Sequence, residues 1–163
     1  MLTIERANHA LSYCAETGEF RWKIRVGRMR PIGSLAGKLD KDGYRVIGLD
    51  GRKYRAGRLA YFMATGSWPD CQIDHINGEK SDDRLQNLRP VTQTQNSQNT
   101  SFHKNSVSKK KGVDYHKGDC MWRARIRVNG KRLFLGNFHS PEEAHYAYCR
   151  AAAKLHGEFA RTS

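Results

Sequence analysis

From Met121 to Val128 the chain reads MWRARIRV, with apolar and basic side chains alternating without a break. A period of two residues fits a β-strand with one face covered and the other wet; a helix would scatter these side chains around its axis. Asn129-Gly130 follows, a pair suited to the left-handed backbone of a tight hairpin, and RLFLGNF supplies the return strand. The same pattern occurs earlier, where GYRVIGL (43–49) meets KYRA (53–56) across Asp50-Gly51. Only 38% of residues are hydrophobic and mean hydropathy is −0.77, so hairpins of this kind must share small cores. A chain of 163 residues then makes one compact domain or two small ones.

The remaining segments place the class as α+β. EFRWK (19–23) alternates as a further strand, and RLAYFMAT (58–65) reads as a short helix stopped by Gly66. Residues 71–76 are extended and lead into the turn Asn77-Gly78, and GVDYH precedes MWRARIRV as another strand. SPEEAHYAYCRAAAKLHG opens with a capping box in which Ser140 is the cap, Pro141 the first helical residue and Glu143 the third. Gly157 closes that helix, and Ala144, Ala147, Ala151 and Leu155 recur at the spacing needed to cover an apolar sheet face. TSFHKNSVSKKK (100–111) is polar, basic and patternless, the mark of a linker.

Charge narrows the partners. Lys and Arg number 29 against 16 Asp and Glu, a net +13. Residues 1–102 hold 16 basic and 11 acidic side chains, residues 103–163 hold 13 and 5, so the excess is denser in the shorter part. Such a field suits a polyanion, nucleic acid before anionic lipid. No apolar run approaches the length of a membrane span, and MLTIERANHA lacks the apolar stretch of a secretory signal, so a cytoplasmic protein is expected; it is expected to be monomeric. Cys14, Cys71, Cys120 and Cys149 are too widely spaced for a zinc knuckle and read as free thiols.

One stretch carries chemistry: IDHINGEKSDDRLQNLRPVTQTQNSQN, residues 73–99. Hydrolysis of a phosphodiester needs an activated water and a cation to neutralise charge in the transition state. A histidine can serve as base because it exchanges protons near neutral pH. Mg²⁺ takes hard oxygen ligands, only one or two of them from protein, and the Asp74 carboxylate with an Asn amide oxygen supplies that set. The His75 ring must also be held in one tautomer by a nearby amide or carbonyl. Thr92 and Gln95 form a capping box, so a helix begins near Gln93 and carries Asn96 in its first turn, with Asn99 one turn later as the competing ligand.

In the later hairpin Trp122, Ala124, Ile126 and Val128 share one face, with Leu133 and Leu135 across the turn. Arg123, Arg125 and Arg127 share the other, about 6.8 Å apart, with Arg132 and Phe134 beside them. A sheet can lie in the major groove of DNA, where Arg reads guanine edges or grips phosphate. No acid interrupts the row of arginines, which marks it as a binding face rather than an ordinary wet one.

DHING…DDR…NLRPVT…QN resembles the HNH nucleases, in particular the homing endonucleases of phages and bacteria, with a ββα-metal core. The resemblance implies that His75 is the general base, that Asn87, the middle Asn, orients it, and that Asp74 and Asn96 bind a divalent metal, Mg²⁺ or alternatively Mn²⁺. YRAGRLAYFMATGSWP is similar to the segment that leads into this motif, which commonly carries His where this chain has Gly57; Asn is frequent where it has Asp83. From KKGV (110–113) to HGEFA (156–160), with WRARI, LGNF and EEA between, the chain is similar to the Apetala/ethylene-response-factor type DNA-binding domain. That implies DNA contacts from Lys110, Lys111, Arg123, Arg125, Arg127, Lys131, Arg132 and Phe134. The expected organisation is an HNH nuclease domain with a β-rich N-terminal extension over 1–100, a linker over 101–109, and the DNA-binding domain over 110–163. The expected fold is a β-rich start leading into the ββα core, then a three-stranded antiparallel sheet plus one helix. The expected activity is metal-dependent cleavage of double-stranded DNA at a recognised site; the alternative is a catalytically inactive DNA-binding transcriptional regulator.

Overall fold

Thr3 accepts a hydrogen bond from the Arg6 backbone N–H and so starts a short helix, α1 (Ile4–Ala10), that sequence reading passed over. The computed structural model describes residues 2–27, 30–99 and 106–160, with the side chains of residues 97–99 and 158 left out. The chain forms two compact units, 1–91 and 92–163.

In the first unit α1 runs into β1 (Leu11–Tyr13), which pairs antiparallel with β2 (Phe20–Trp22). β3 (Lys38–Leu39), β4 (Arg45–Leu49) and β5 (Arg52–Arg55) form an antiparallel sheet in that order. Asp50 and Gly51 both adopt positive φ, 50° and 74°, the backbone a two-residue hairpin demands. α2 (Ala56–Thr65) follows and ends at Gly66, whose φ of 79° gives the left-handed cap. Its buried residues Ala56, Leu59, Ala60 and Phe62 recur at three- and four-residue steps, so one face packs inward. They join Leu2, Leu11, Phe20, Trp22, Ile47, Leu49 and Leu88 in a single apolar cluster. Phe20 and Trp22 are 0% and 2% exposed, each contributing on the order of 1.5–3 kcal/mol by burial. β6 (Gln72–His75) then pairs antiparallel with β7 (Leu88–Val91), and a 3-10 turn (Leu85–Asn87) leads into β7.

The β1–β2 connection lies against the loop between β6 and β7. Tyr13 donates its hydroxyl to the Asp83 carbonyl at 2.8 Å, and the Leu85 N–H bonds the Ala15 carbonyl at 3.0 Å. Gly18, at φ 73°, approaches so closely that a Cβ there would lie 2.5 Å from the Arg84 nitrogen.

In the second unit the capping box forms as expected: the Thr92 N–H donates to the Gln95 side chain at 2.8 Å and the Gln95 N–H to the Thr92 hydroxyl at 3.3 Å. It starts α3 (Gln93–Asn99). The division after Val91 sorts α3 with the second unit, whereas a boundary at residue 100 was expected. Of the expected linker, residues 101–105 lie outside the described residues. β8 (Val113–His116), β9 (Met121–Val128) and β10 (Lys131–Phe138) form an antiparallel sheet with β9 central, and α4 (Pro141–His156) covers one face. The Ser140 hydroxyl accepts from the Glu143 N–H.

Two expectations about this core need correction. The buried stripe of α4 is Ala144, Tyr148, Ala152 and His156, a strict four-residue step; Ala147 and Ala151 flank it, and Leu155 is 42% exposed. His156 belongs to the stripe because its ring bonds the Arg127 carbonyl at 3.0 Å. Leu133 is 43% exposed, and the register shifts between Phe134 and Gly136. That bulge, which adds a residue to one strand, leaves Leu135 packed in the core.

Gly18→Ala should destabilise the first unit by more than about 1 kcal/mol, since it combines an unfavourable φ with a backbone clash. A denaturant midpoint shift on the full chain measures it; an unchanged midpoint would show that the β1–β2 connection does not bear on the β6–β7 loop.

Candidate active site and nucleic-acid face

β6 delivers Asp74 and His75 side by side, and both are buried, at 7% and 6% exposure. Asp74 stands opposite Arg89 in the antiparallel register and His75 opposite Leu88. The Arg89 guanidinium donates twice to Asp74 Oδ2, from Nε at 3.1 Å and Nη2 at 3.0 Å. This pair was not read from the sequence, although a cross-strand Arg is a natural partner for a buried carboxylate.

His75 meets Asp83, whose Oδ1 lies 3.1 Å from the ring Nε2. Asp83 is 1% exposed. The expectation that Asn87 would hold this ring is corrected by where its amide points. Asn87 accepts from the Asn77 N–H at 3.0 Å and donates to the Asn77 side-chain oxygen at 3.0 Å and the Asp82 carbonyl at 2.8 Å. Asn87 therefore closes the loop that follows His75, and a side-chain amide suits that work because it donates and accepts at once.

Gly57, in the first turn of α2, faces the same pair. A Cβ there would lie 3.2 Å from Asp83 Oδ1, 3.3 Å from Leu88 Cδ2 and 3.4 Å from His75 Cε1. The Tyr44 ring lies 6.0 Å from the His75 ring, with the Arg55 guanidinium 4.1 Å and the Lys80 ammonium 4.8 Å from its centroid. Two cations thus flank the aromatic neighbour of His75, at positions sequence reading did not single out. The first unit thus brings together Asp74, His75 and Asn87. Asn96 lies in the first turn of α3, in the second unit. Asn99 is the last residue of α3, and its side chain lies outside the description.

Among the described residues no group of three or more His, Cys, Asp or Glu side chains converges as a cation cage. The donors on offer are one buried carboxylate and side-chain amides. Oxygen donors of this kind fit a divalent cation that takes few ligands from protein.

In the second unit, the sheet face opposite α4 carries Arg123, Arg125 and Arg127 on β9, with Arg132, Phe134 and Asn137 opposite them on β10. Phe134 is 61% exposed, and Arg127, Lys131 and Arg132 are exposed as well. Lys110 is 3.7 Å from Glu142, and the Lys111 carbonyl bonds His145. The row is not free of acid, contrary to the expectation from β9 alone. Asp114 on β8 pairs with Arg123 and takes two bonds from Arg123 on Oδ2 and two from Arg125 on Oδ1, at 2.7–3.3 Å. Burial pushes the Asp114 carboxyl up, but the bonds from Arg123 and Arg125 outweigh it and hold it below its usual range. The strand parity of GVDYH could have revealed this once the pairing of β8 with β9 was known.

A family model described as HNH endonuclease matches residues 54–98. The chain is 38% identical over 89 residues to Protein 3.8 of Escherichia phage T7, covering 55% of this chain and 73% of that protein. It is 35% identical over 124 residues to an uncharacterized HNH endonuclease, L560, of Acanthamoeba polyphaga mimivirus, covering 75% of this chain and 63% of the relative. A solved structure described as DNA binding and cleavage by the HNH homing endonuclease I-HmuI is similar at 28% identity and a TM-score of 0.44, over 60% of this chain and 55% of that one. The chain thus spans less than two thirds of the mimivirus protein and of the solved chain. Among the described residues, no helix is long and apolar enough to cross a membrane.

The loop after His75 has its own acid dependence. The Arg84 guanidinium, helped by Asn77, brings the Asp82 carboxyl down from 3.8 to about 2. A carboxyl lowered in the folded state stabilises it above its unfolded value and loses that contribution as pH falls toward the folded value. Urea titrations from pH 3.8 down to about 2 should therefore show a shallower loss of stability for Asp82→Asn than for the wild type. Equal slopes would mean that the Asp82–Arg84 pair contributes nothing to folding.

Proposed function

We propose, from the premise that this chain belongs to the HNH endonuclease family and is a DNA-cleaving enzyme, that it hydrolyses double-stranded DNA at a recognised site with a divalent cation, in the manner of a homing-type nuclease. The observation that carries the reading is the buried neighbouring pair Asp74 and His75 at the end of β6, inside the segment that matches the family model.

His75 takes a proton from water as that water attacks phosphorus in line; the P–O bond to the leaving sugar breaks, giving one phosphomonoester and one alcohol. Burial of the ring keeps bulk water from competing for its position. Asp74 would be a ligand of the cation, which when bound supplies charge neutralisation at the scissile phosphate. Arg89 keeps the Asp74 carboxylate oriented and compensated, since a lone buried charge would be costly. Asn87 fixes the loop and so the end of β6.

The second unit is proposed as the reader, an Apetala/ethylene-response-factor type module whose sheet face enters the major groove. Support comes from its three antiparallel strands backed by one helix and from the exposed Arg127, Arg132 and Phe134. Lys110, Lys111 and Lys131 would add phosphate contacts, and Arg123 and Arg125, held by Asp114, would present their remaining donors in fixed directions.

Supercoiled plasmid with Mg²⁺, with and without chelator, tests the activity. His75→Ala should lower cleavage by at least about 10²-fold with DNA affinity nearly intact, and Asp74→Ala should abolish Mg²⁺-dependent cutting. No cleavage by wild type under any divalent cation would favour the inactive regulator. For the reader, Arg127→Ala should weaken binding to all sequences and reduce the salt slope by about one. Arg125→Ala should cost about 1–3 kcal/mol and relax one target position; footprints identical to wild type in both variants would remove the sheet face from recognition.

A further inference from the structure

We infer that Asp83 is a positioning residue that sets the tautomer of His75, an inference that rests on the reading of His75 as the base. An ionised carboxylate only accepts hydrogen bonds, so the 3.1 Å contact of Asp83 Oδ1 with His75 Nε2 puts the ring proton on Nε2. Nδ1 then carries the lone pair, the form required of a base.

Three features separate this arrangement from an ordinary buried salt link. First, Asp83 Oδ2 is buried and has no hydrogen-bond partner among the described residues. A carboxylate kept for stability would have both oxygens bound, because an orphaned one in a dry interior is a cost. Second, the backbone around Asp83 is braced by Tyr13 and by the close approach of Gly18. Burial first, and then the charge of Asp83, push the Tyr13 phenol up, so it stays a donor. Third, Gly57 leaves room for the contact, since a Cβ would crowd both Asp83 Oδ1 and His75 Cε1. The two positions where this chain departs from the motif pattern of its family therefore touch the same ring.

The test uses the full chain and three readouts on wild type, Asp83→Ala, Asp83→Asn and Gly57→Ala: ¹⁵N NMR of the His75 ring, kcat and KM on plasmid DNA with Mg²⁺, and the thermal midpoint. Wild type should show the Nε2–H tautomer. Asp83→Ala should mix the tautomers and lower kcat about 10²-fold, with KM unchanged and a midpoint no lower than wild type. Asp83→Asn keeps the shape and an acceptor oxygen. It should retain the tautomer and recover at least about tenfold in kcat relative to Asp83→Ala. Gly57→Ala should displace the pair and shift tautomer and kcat together. Activity that follows the tautomer across the variants supports the role. A kcat that falls while the tautomer stays, a tautomer that changes while kcat stays, or no change in either overturns it. If wild type fails to cleave, the nuclease reading falls, and the NMR comparison still decides whether Asp83 holds the ring.

Discussion

The antiparallel pairing of β6 with β7 is the interaction on which the candidate site depends. In a strand, neighbouring side chains point to opposite faces, so a slip of one residue would exchange the environments of Asp74 and His75. The connection between the two strands is long, and a long connection does not itself fix register. Asn87 does that work at the point where the loop returns: its amide binds Asn77 from both sides, while the Ile76 N–H bonds the Asn87 carbonyl at 2.9 Å. With the loop closed there, Arg89 falls opposite Asp74 and Leu88 opposite His75. One face of the hairpin can then carry a compensated carboxylate while Leu88 joins the apolar core.

Most elements were legible because their signals are local. Alternation, the Asn-Gly and Asp-Gly turns, the glycine stops and the two caps depend on residues a few positions apart, and the structure follows them. For the candidate site, the motif residues could be named from the sequence, whereas their contacts could not. Asp74 and His75 lie on β6 and Asn87 just before β7, but Asp83 is a partner of His75, and Asn87 serves the loop. Contacts of that kind depend on which strand returns beside which, and spacing does not encode it. The α4 stripe shows a related limit: polarity is a poor guide to burial there, since His156 is buried by bonding a carbonyl. The bulge at Leu135 likewise breaks a two-residue pattern, and Gly136 is the one residue of RLFLGNF that signals it.

The arginine face of the second unit shows how three dimensions alter a charge argument. Along β9 the row is purely basic, yet β8 places Asp114 between Arg123 and Arg125. Partly exposed ion pairs add little to stability. Their effect here is geometric: each guanidinium has two of its donors committed to the carboxylate, which restricts where the others point. Arg127 and Arg132 lie opposite each other, with no such clamp among the described residues. The face therefore contains arginines held by a carboxylate at one end and exposed ones at the other, the former suited to directional bonds and the latter to a diffuse polyanion.

The segment that matches the HNH family begins at residue 54, but the support of its buried pair begins far earlier in the chain. Tyr13, Ala15 and Gly18 brace the backbone at Asp83 and Leu85, and the strands that carry them are anchored by Phe20 and Trp22 in the same core as α2. A buried, half-satisfied carboxylate beside an imidazole is destabilising taken by itself, so its surroundings must supply the missing stability. Within the matching segment, β6, β7 and the 3-10 turn add only Leu88 and Ile73 to that core, and the buried side chains of α2 share it with Leu11, Phe20 and Trp22. The N-terminal helix and strands are therefore part of the site in the energetic sense: they contribute the apolar burial that lets Asp83 stay beside His75.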